Sequence, residues 1–347
     1  MKKYPFLLTL ALMLSTAGFG QNNPYNIVDS VKTYFDKGLE VMEENALNRG
    51  QVNWLELRQA AYAKAKGAKT YEDVLPVYPF LFEQLNDYHG WLTYKGKTYA
   101  WNKKRDQAKN PAVQVELKKK PGVQVRLLKN GIGYILIPGN SDFGMKNVNR
   151  NAQAIKDSIS KIHPDKVKGW IIDLRLNTGG NMYPMLGGLA DIIGDGPAGG
   201  FVTAEGQPDE QWSVQGGNFY VNNAQATKAT ASTSVKPNVP VAVLLSNMTA
   251  SAGEAVAIAL QGRPNTQFIG ETTYGLTTAN LGFPLNKDSG INLAVLYEAD
   301  RKGILYKDHI APQVKIEGGD NFTDWKKDQK VLAALKWLKK SARKKSV

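Results

Sequence analysis

The chain has 347 residues, 42% of them hydrophobic and 22% charged, with a formal net charge of +13 and no cysteine. Disulfides, thiolate metal sites and a cysteine nucleophile are thereby excluded, so the core must hold without staples. The length suits one large domain or a small one plus a large one, and the composition is globular rather than disordered.

Lys2 and Lys3 precede an apolar run from Phe6 to Leu14, followed by small residues to Gly20 and the polar Gln21-Asn22-Asn23. This order predicts a secretory signal peptide over residues 1–20. The run is too short to span a bilayer comfortably. Export to the periplasm or beyond the cell follows, with no stable membrane span after cleavage. Residues 21–95 are expected to form an N-terminal helical subdomain. Val31, Tyr34 and Phe35 fall at helical steps, Trp54 to Ala65 forms a second helix, and Val77 to Leu85 a third. Asn86-Asp87-Tyr88-His89-Gly90 ends that region. Residues 96–122 are expected to be a linker and an edge hairpin. Val113 to Leu117 and Val123 to Leu127 both alternate apolar with polar around Lys120-Pro121-Gly122.

Residues 123–320 hold two strand–turn–helix units, which predict an α/β core. One runs from Gly169 through a Gly179-Gly180 turn to a helix ending at Ile193. The other runs from Val239 to Leu245, then a turn, then a helix over Ala252 to Leu260. A hairpin is expected from Ile291 to Ile316. Residues 321–347 are expected to form a basic C-terminal helix. Trp325, Leu332, Leu335 and Leu338 give it a docking stripe, and its lysines a solvated face rather than a polyanion site.

Ser251 lies where the all-apolar strand Val241 to Leu245 turns into a helix. Unpaired amides and the helix dipole there favour a developing oxyanion. The same spacing reads equally as a capping box closed by Glu254. Gly179-Gly180 allows close backbone approach at a second strand end.

Gly169 to Gly180 (GWIIDLRLNTGG), Val241 to Leu260 (VAVLLSNMTASAGEAVAIAL) and Phe268 to Gly275 (FIGETTYG) occur in that order. Together they resemble the core of the tail-specific, or carboxy-terminal-processing, serine proteases, a superfamily that includes the tricorn core. The resemblance covers about residues 125–316. It implies a Clp protease/crotonase-like α/β core, Ser251 as nucleophile, and an oxyanion hole from the Ala252 amide with that of Gly179 or Gly180. It also implies a peptide or protein substrate. The family's lysine position, 25 residues beyond Ser251, holds Leu276, which cannot accept a proton. The tricorn-like branch uses histidine. His89, in a segment similar to that branch's Asp-x-His element, is the first choice for general base, ahead of His309. For the acid behind it Asp300 comes first, with Glu298, Asp308 and Asp87 open. Between Tyr94 and Gly122 there are too few residues for a PDZ module, which needs a chain about three times as long.

A non-catalytic ligand-binding protein on the same fold and an esterase-type acyl hydrolase are the alternatives. No HExxH motif, P-loop, dinucleotide fingerprint or Cys/His cluster is present, so no metal or organic cofactor is expected, nor any nucleic-acid partner. The sequence leaves the oligomeric state and the substrate unassigned.

Overall fold

The computed structural model describes residues 25–102, 110–142, 144–231 and 234–344. The expected signal peptide falls outside the described residues. Within them no helix is long and apolar enough to cross a membrane.

The N-terminal region forms α1 (Asp29–Asn45), α2 (Trp54–Lys64), the short α3 (Tyr71–Val74) and α4 (Tyr78–Gln84). Helix α1 buries Val31, Tyr34, Phe35, Leu39 and Met42, the single apolar face that its spacing dictates. The Asn53 side chain caps α2 by accepting the Leu55 and Glu56 amides. Pro79 sits in the first turn of α4, where its missing N–H costs nothing. After α4 the chain forms β1 (Trp91–Tyr94) and β2 (Lys97–Tyr99), a strand pair within the stretches read as helical subdomain and linker.

Residues 113–117 are not the expected strand. They lie in α5 (Pro111–Lys118). Pro111 opens that helix, and the Asn110 side chain accepts the Val113 amide. A good N-cap and a proline at the first position outweigh five residues of alternation. The hairpin here is instead β3 (Gln124–Leu128) with β4 (Ile132–Leu136), closed through Asn130-Gly131.

The core continues with α6 (Val148–Ser160), β5 (Gly169–Asp173), α7 (Met182–Ile193) and the antiparallel strands β6 (Gly196–Val202), β7 (Pro208–Gln215), β8 (Asn218–Val221) and β9 (Ala224–Gln225). Then follow β10 (Val241–Leu245), α8 (Ala252–Leu260), β11 (Thr266–Gly270), β12 (Thr278–Asn286), β13 (Ser289–Ala299), β14 (Leu305–Tyr306), β15 (Val314–Lys315) and α9 (Gln329–Lys344). The expected Ile291–Ile316 hairpin is corrected. Strand β13 pairs along its length with the preceding β12 and only briefly with β14, because Asn286 to Ser289 makes the tight turn.

A six-stranded sheet runs β15-β11-β10-β5-β4-β3, parallel except at β3. Strands β5 and β10 are buried on both faces, which explains their continuous apolar sequences. Alternate residues divide the packing. Trp170, Ile172, Val243 and Leu245 face α6, α7 and α8, whereas Ile171, Ala242 and Leu244 face Val331, Ala334 and Leu338 of α9. The second sheet carries β13 as its spine. One end of β13 pairs with β1 and the other with β6, which joins the N-terminal helices to the core.

Candidate active site

The ends of β5 and β10 are stitched together before either turn begins. Ser246 Oγ donates to the Arg175 carbonyl (2.6 Å), Thr249 Oγ1 to the Leu174 carbonyl (2.9 Å), and the Ala250 amide to the Asn177 carbonyl (2.9 Å). Helix α8 then starts at Ser251, whose backbone has φ 52° and ψ −120°. A side chain with a Cβ is strained in that left-handed region, at a cost on the order of 1–3 kcal/mol. An ordinary N-cap takes extended backbone instead. Such strain concentrates at functional sites.

Gly179 and Gly180 face this turn, with φ 110° and 109°. A Cβ on Gly179 would lie 2.9 Å from Ser251 Cβ, and one on Gly180 would collide with the Asn140 carbonyl. The Gly179 amide donates to Asn177 Oδ1 (3.1 Å). Among the described residues, the amides of Gly180 and Ala252 have no acceptor. They are the two donors beside Ser251 left available to an incoming oxygen.

Glu254, fully buried, binds the Ser251 turn to the loop after β11. Its Oε2 accepts the Ser251 amide (2.9 Å) and the Leu276 amide (2.6 Å). Its Oε1 accepts the Gly275 amide (2.8 Å) and Thr273 Oγ1 (2.5 Å). The capping reading of Ser251 and Glu254 is thus part of a larger clamp. Burial raises the Glu254 carboxyl to about 7, and the four donated hydrogen bonds only partly offset this. Glu298 is buried nearby. Burial and then the Glu254 charge push its carboxyl well above the usual range, and its Oε2 has no partner among the described residues.

His89 follows α4 in a turn held by Asp87, which accepts the His89 and Gly90 amides (3.1 and 2.7 Å). Burial raises Asp87 to about 6. His89 Nδ1 lies 2.7 Å from Thr278 Oγ1, Thr278 Oγ1 donates to Asn280 Oδ1 (3.4 Å), and Asn280 Nδ2 donates to the His89 carbonyl (2.8 Å). In the tautomer that carries its proton on Nδ1, His89 donates to Thr278 Oγ1, Thr278 in turn donates to Asn280 Oδ1, and Nε2 is the basic nitrogen. His89, Gly275 and Thr278 line one cavity, and Gly275 shares the Glu254 carboxylate with Ser251.

Asp87 thus serves the His89 backbone, and the candidates Asp300 and Asp308 have other partners. Asp300 lies in the turn between β13 and β14, where it accepts the Lys302 and Ile304 amides (2.8 and 3.1 Å) and the Tyr306 hydroxyl (3.3 Å). Asp308 meets Tyr88 and the exposed His309. Among the described contacts of His89, Thr278 meets its ring and Asn280 its carbonyl. They follow the Phe268–Gly275 stretch, and a threonine bonded to a histidine leaves no mark in spacing. No group of residues suited to hold a metal occurs among the described residues.

Residues 131–316 match the family model described as Peptidase family S41. The nisin-resistance protein of Lactococcus lactis subsp. lactis is 25% identical over 322 residues, covering 91% of this chain and 90% of that protein. The carboxy-terminal processing protease CtpA of Bacillus subtilis is 30% identical over 225 residues, 59% of this chain; the match spans 43% of that longer protein. A solved lipoprotein structure from Streptococcus agalactiae superposes with a TM-score of 0.66 at 23% identity, over 90% of this chain and 96% of that one. The photosystem II D1 C-terminal processing protease superposes at 0.56 and 14% identity, over 84% and 94%.

Proposed function

The chain belongs to peptidase family S41, a family of serine-type peptidases, and from that premise we propose an exported enzyme that cleaves peptide bonds through Ser251 with His89 as general base. The strained backbone of Ser251, wedged against Gly179, is the observation that carries this reading. Ser251 Oγ attacks the scissile carbonyl carbon while His89 Nε2 takes its proton. The resulting oxyanion is held by the Gly180 and Ala252 amides. The carbon–nitrogen bond breaks as His89 returns the proton to the leaving amine. Water then repeats the sequence on the acyl-enzyme and regenerates Ser251. Thr278 and Asn280 orient the imidazole. Leu276 stands where the family lysine is expected, and its amide, rather than its side chain, is bound to Glu254. Export rests on the leader-like residues 1–20 and on kinship with a protein named as a lipoprotein.

Labelling by a fluorescent fluorophosphonate tests the reading. Wild type is expected to label, Ser251→Ala not at all, and His89→Ala at a rate lower by about 10²–10⁴-fold. Undiminished labelling of Ser251→Ala would reject it. Comparing turnover of matched esters and amides separates a peptidase from an esterase.

A further inference from the structure

The cavity bordered by His89 has no role in the proton transfers, and its lining carries information about substrate. It encloses about 230 Å³ between the turn after α1 (Leu47, Asn48), His89, Gly275, Tyr297 and Lys307. It adjoins the base and not the Gly179-Gly180 turn. The leaving amine receives its proton from the base, so a cavity on that side takes the residue beyond the scissile bond.

Most polar groups in its wall are already engaged. Asp87 gives Oδ1 to the His89 and Gly90 amides and Oδ2 to the Ala294 amide (3.1 Å). Asn48 Oδ1 accepts the Tyr297 hydroxyl (3.1 Å), and Asn48 Nδ2 donates to the Leu85 carbonyl (3.0 Å). Lys307 differs. Its Nζ lies over the Tyr297 ring, 5.4 Å from the centroid, and among the described residues no carboxylate is within ion-pair distance of it. An ammonium resting on an aromatic face keeps N–H directions open to a second, anionic partner.

We propose that this cavity is the leaving-group subsite and that it selects a residue bearing a carboxylate, bound by Lys307. The carboxylate is either the substrate's C-terminal α-carboxylate or an Asp or Glu side chain. Which side of the scissile bond fills the cavity rests on the peptidase reading; the carboxylate preference does not.

The test is calorimetric titration of the full chain carrying Ser251→Ala, at low salt, with three peptides. They are acetyl-hexa-alanine as free acid, its C-terminal amide, and that amide with its last alanine replaced by aspartate. At least one of the two carboxylate peptides is expected to bind about tenfold more tightly than the plain amide, a difference of about 1.4 kcal/mol. Which of the two gains identifies the source of the charge. Adding Lys307→Met should erase the difference and Lys307→Arg should keep it. Lys307 is exposed, so neither change threatens the fold. Equal binding of all three peptides, no binding of any, or selectivity that survives Lys307→Met would overturn the proposal. The nucleophile is absent throughout, so the result is independent of labelling. An unlabelled wild type with a carboxylate-selective cavity would sink the peptidase mechanism and leave the subsite standing.

Discussion

At the scale of single residues, the backbone of Ser251 sets the energetics of the site. Its φ of 52° is retained by any non-glycine substitute, so Ser251→Ala removes the hydroxyl but keeps the strain. Ser251→Gly removes both. It is therefore expected to raise stability over Ser251→Ala by about 1 kcal/mol, read as a higher denaturant midpoint at unchanged slope. Equal midpoints would mean that the turn is relaxed. The turn at Ser251 and the Gly179-Gly180 turn were legible as local structure, because a strand end, a glycine pair and a helix start are local patterns. The contacts of Thr278 and Asn280 with His89 were not legible, since His89 lies on a distant segment and the fold alone brings them together. Asp300 was misplaced for a related reason. Counting along a hairpin does not reveal that a carboxylate is consumed by its own turn.

Between elements, Glu254 holds the start of α8 to the loop that follows β11. All four groups bound to it donate, so the arrangement suits the ionised carboxylate, whereas burial favours the neutral one. The sign follows from linkage. With its folded value raised to about 7, the native state binds this proton more tightly than the unfolded chain does. Its contribution to stability is therefore present at low pH and lost as pH rises from the ordinary carboxylate range through about 7. Thermal midpoints of wild type and Glu254→Gln, measured between pH 5 and 8, should show wild type losing ground to the variant as pH rises. Catalysis in wild type should move the other way, gaining as the clamp ionises. Parallel midpoints would show that Glu254 does not titrate in this window. At the same scale, residues 113–117 form helix α5 where alternation suggests a strand. Val113 and Leu117 fit a strand's alternation and a helix's four-residue step alike, and only the cap at Asn110 decides between them.

Across the whole molecule, the fold class was readable because two buried parallel strands with following helices admit few architectures. The long-range pairing was not, since β1 joins β13 from almost the other end of the chain. A buried ionic network completes the core. Arg175 binds Asp173, Asp320 and Asp328, while Lys330 binds Asp320 and Glu271 (2.8 and 2.9 Å). Glu271 also accepts the Asn247 amide, in the loop leading to Ser251. Lys330→Met would strand buried carboxylates and is expected to cost about 3–5 kcal/mol in urea unfolding. A loss below 1 kcal/mol would show that water reaches the network.

That network also has a consequence in time. Residues 320–338 leave the ribosome well after Ser251 and the central strands β4, β5, β10 and β11. Until they arrive, Arg175 lacks Asp320 and Asp328, Glu271 lacks Lys330, and the face of the sheet that α9 covers stays bare. A chain still short of residues 320–338 therefore holds the Ser251 turn and the Asn247 loop without the ionic support that Asp320, Asp328 and Lys330 supply, so the site proposed around Ser251 is completed only when a segment remote in sequence docks.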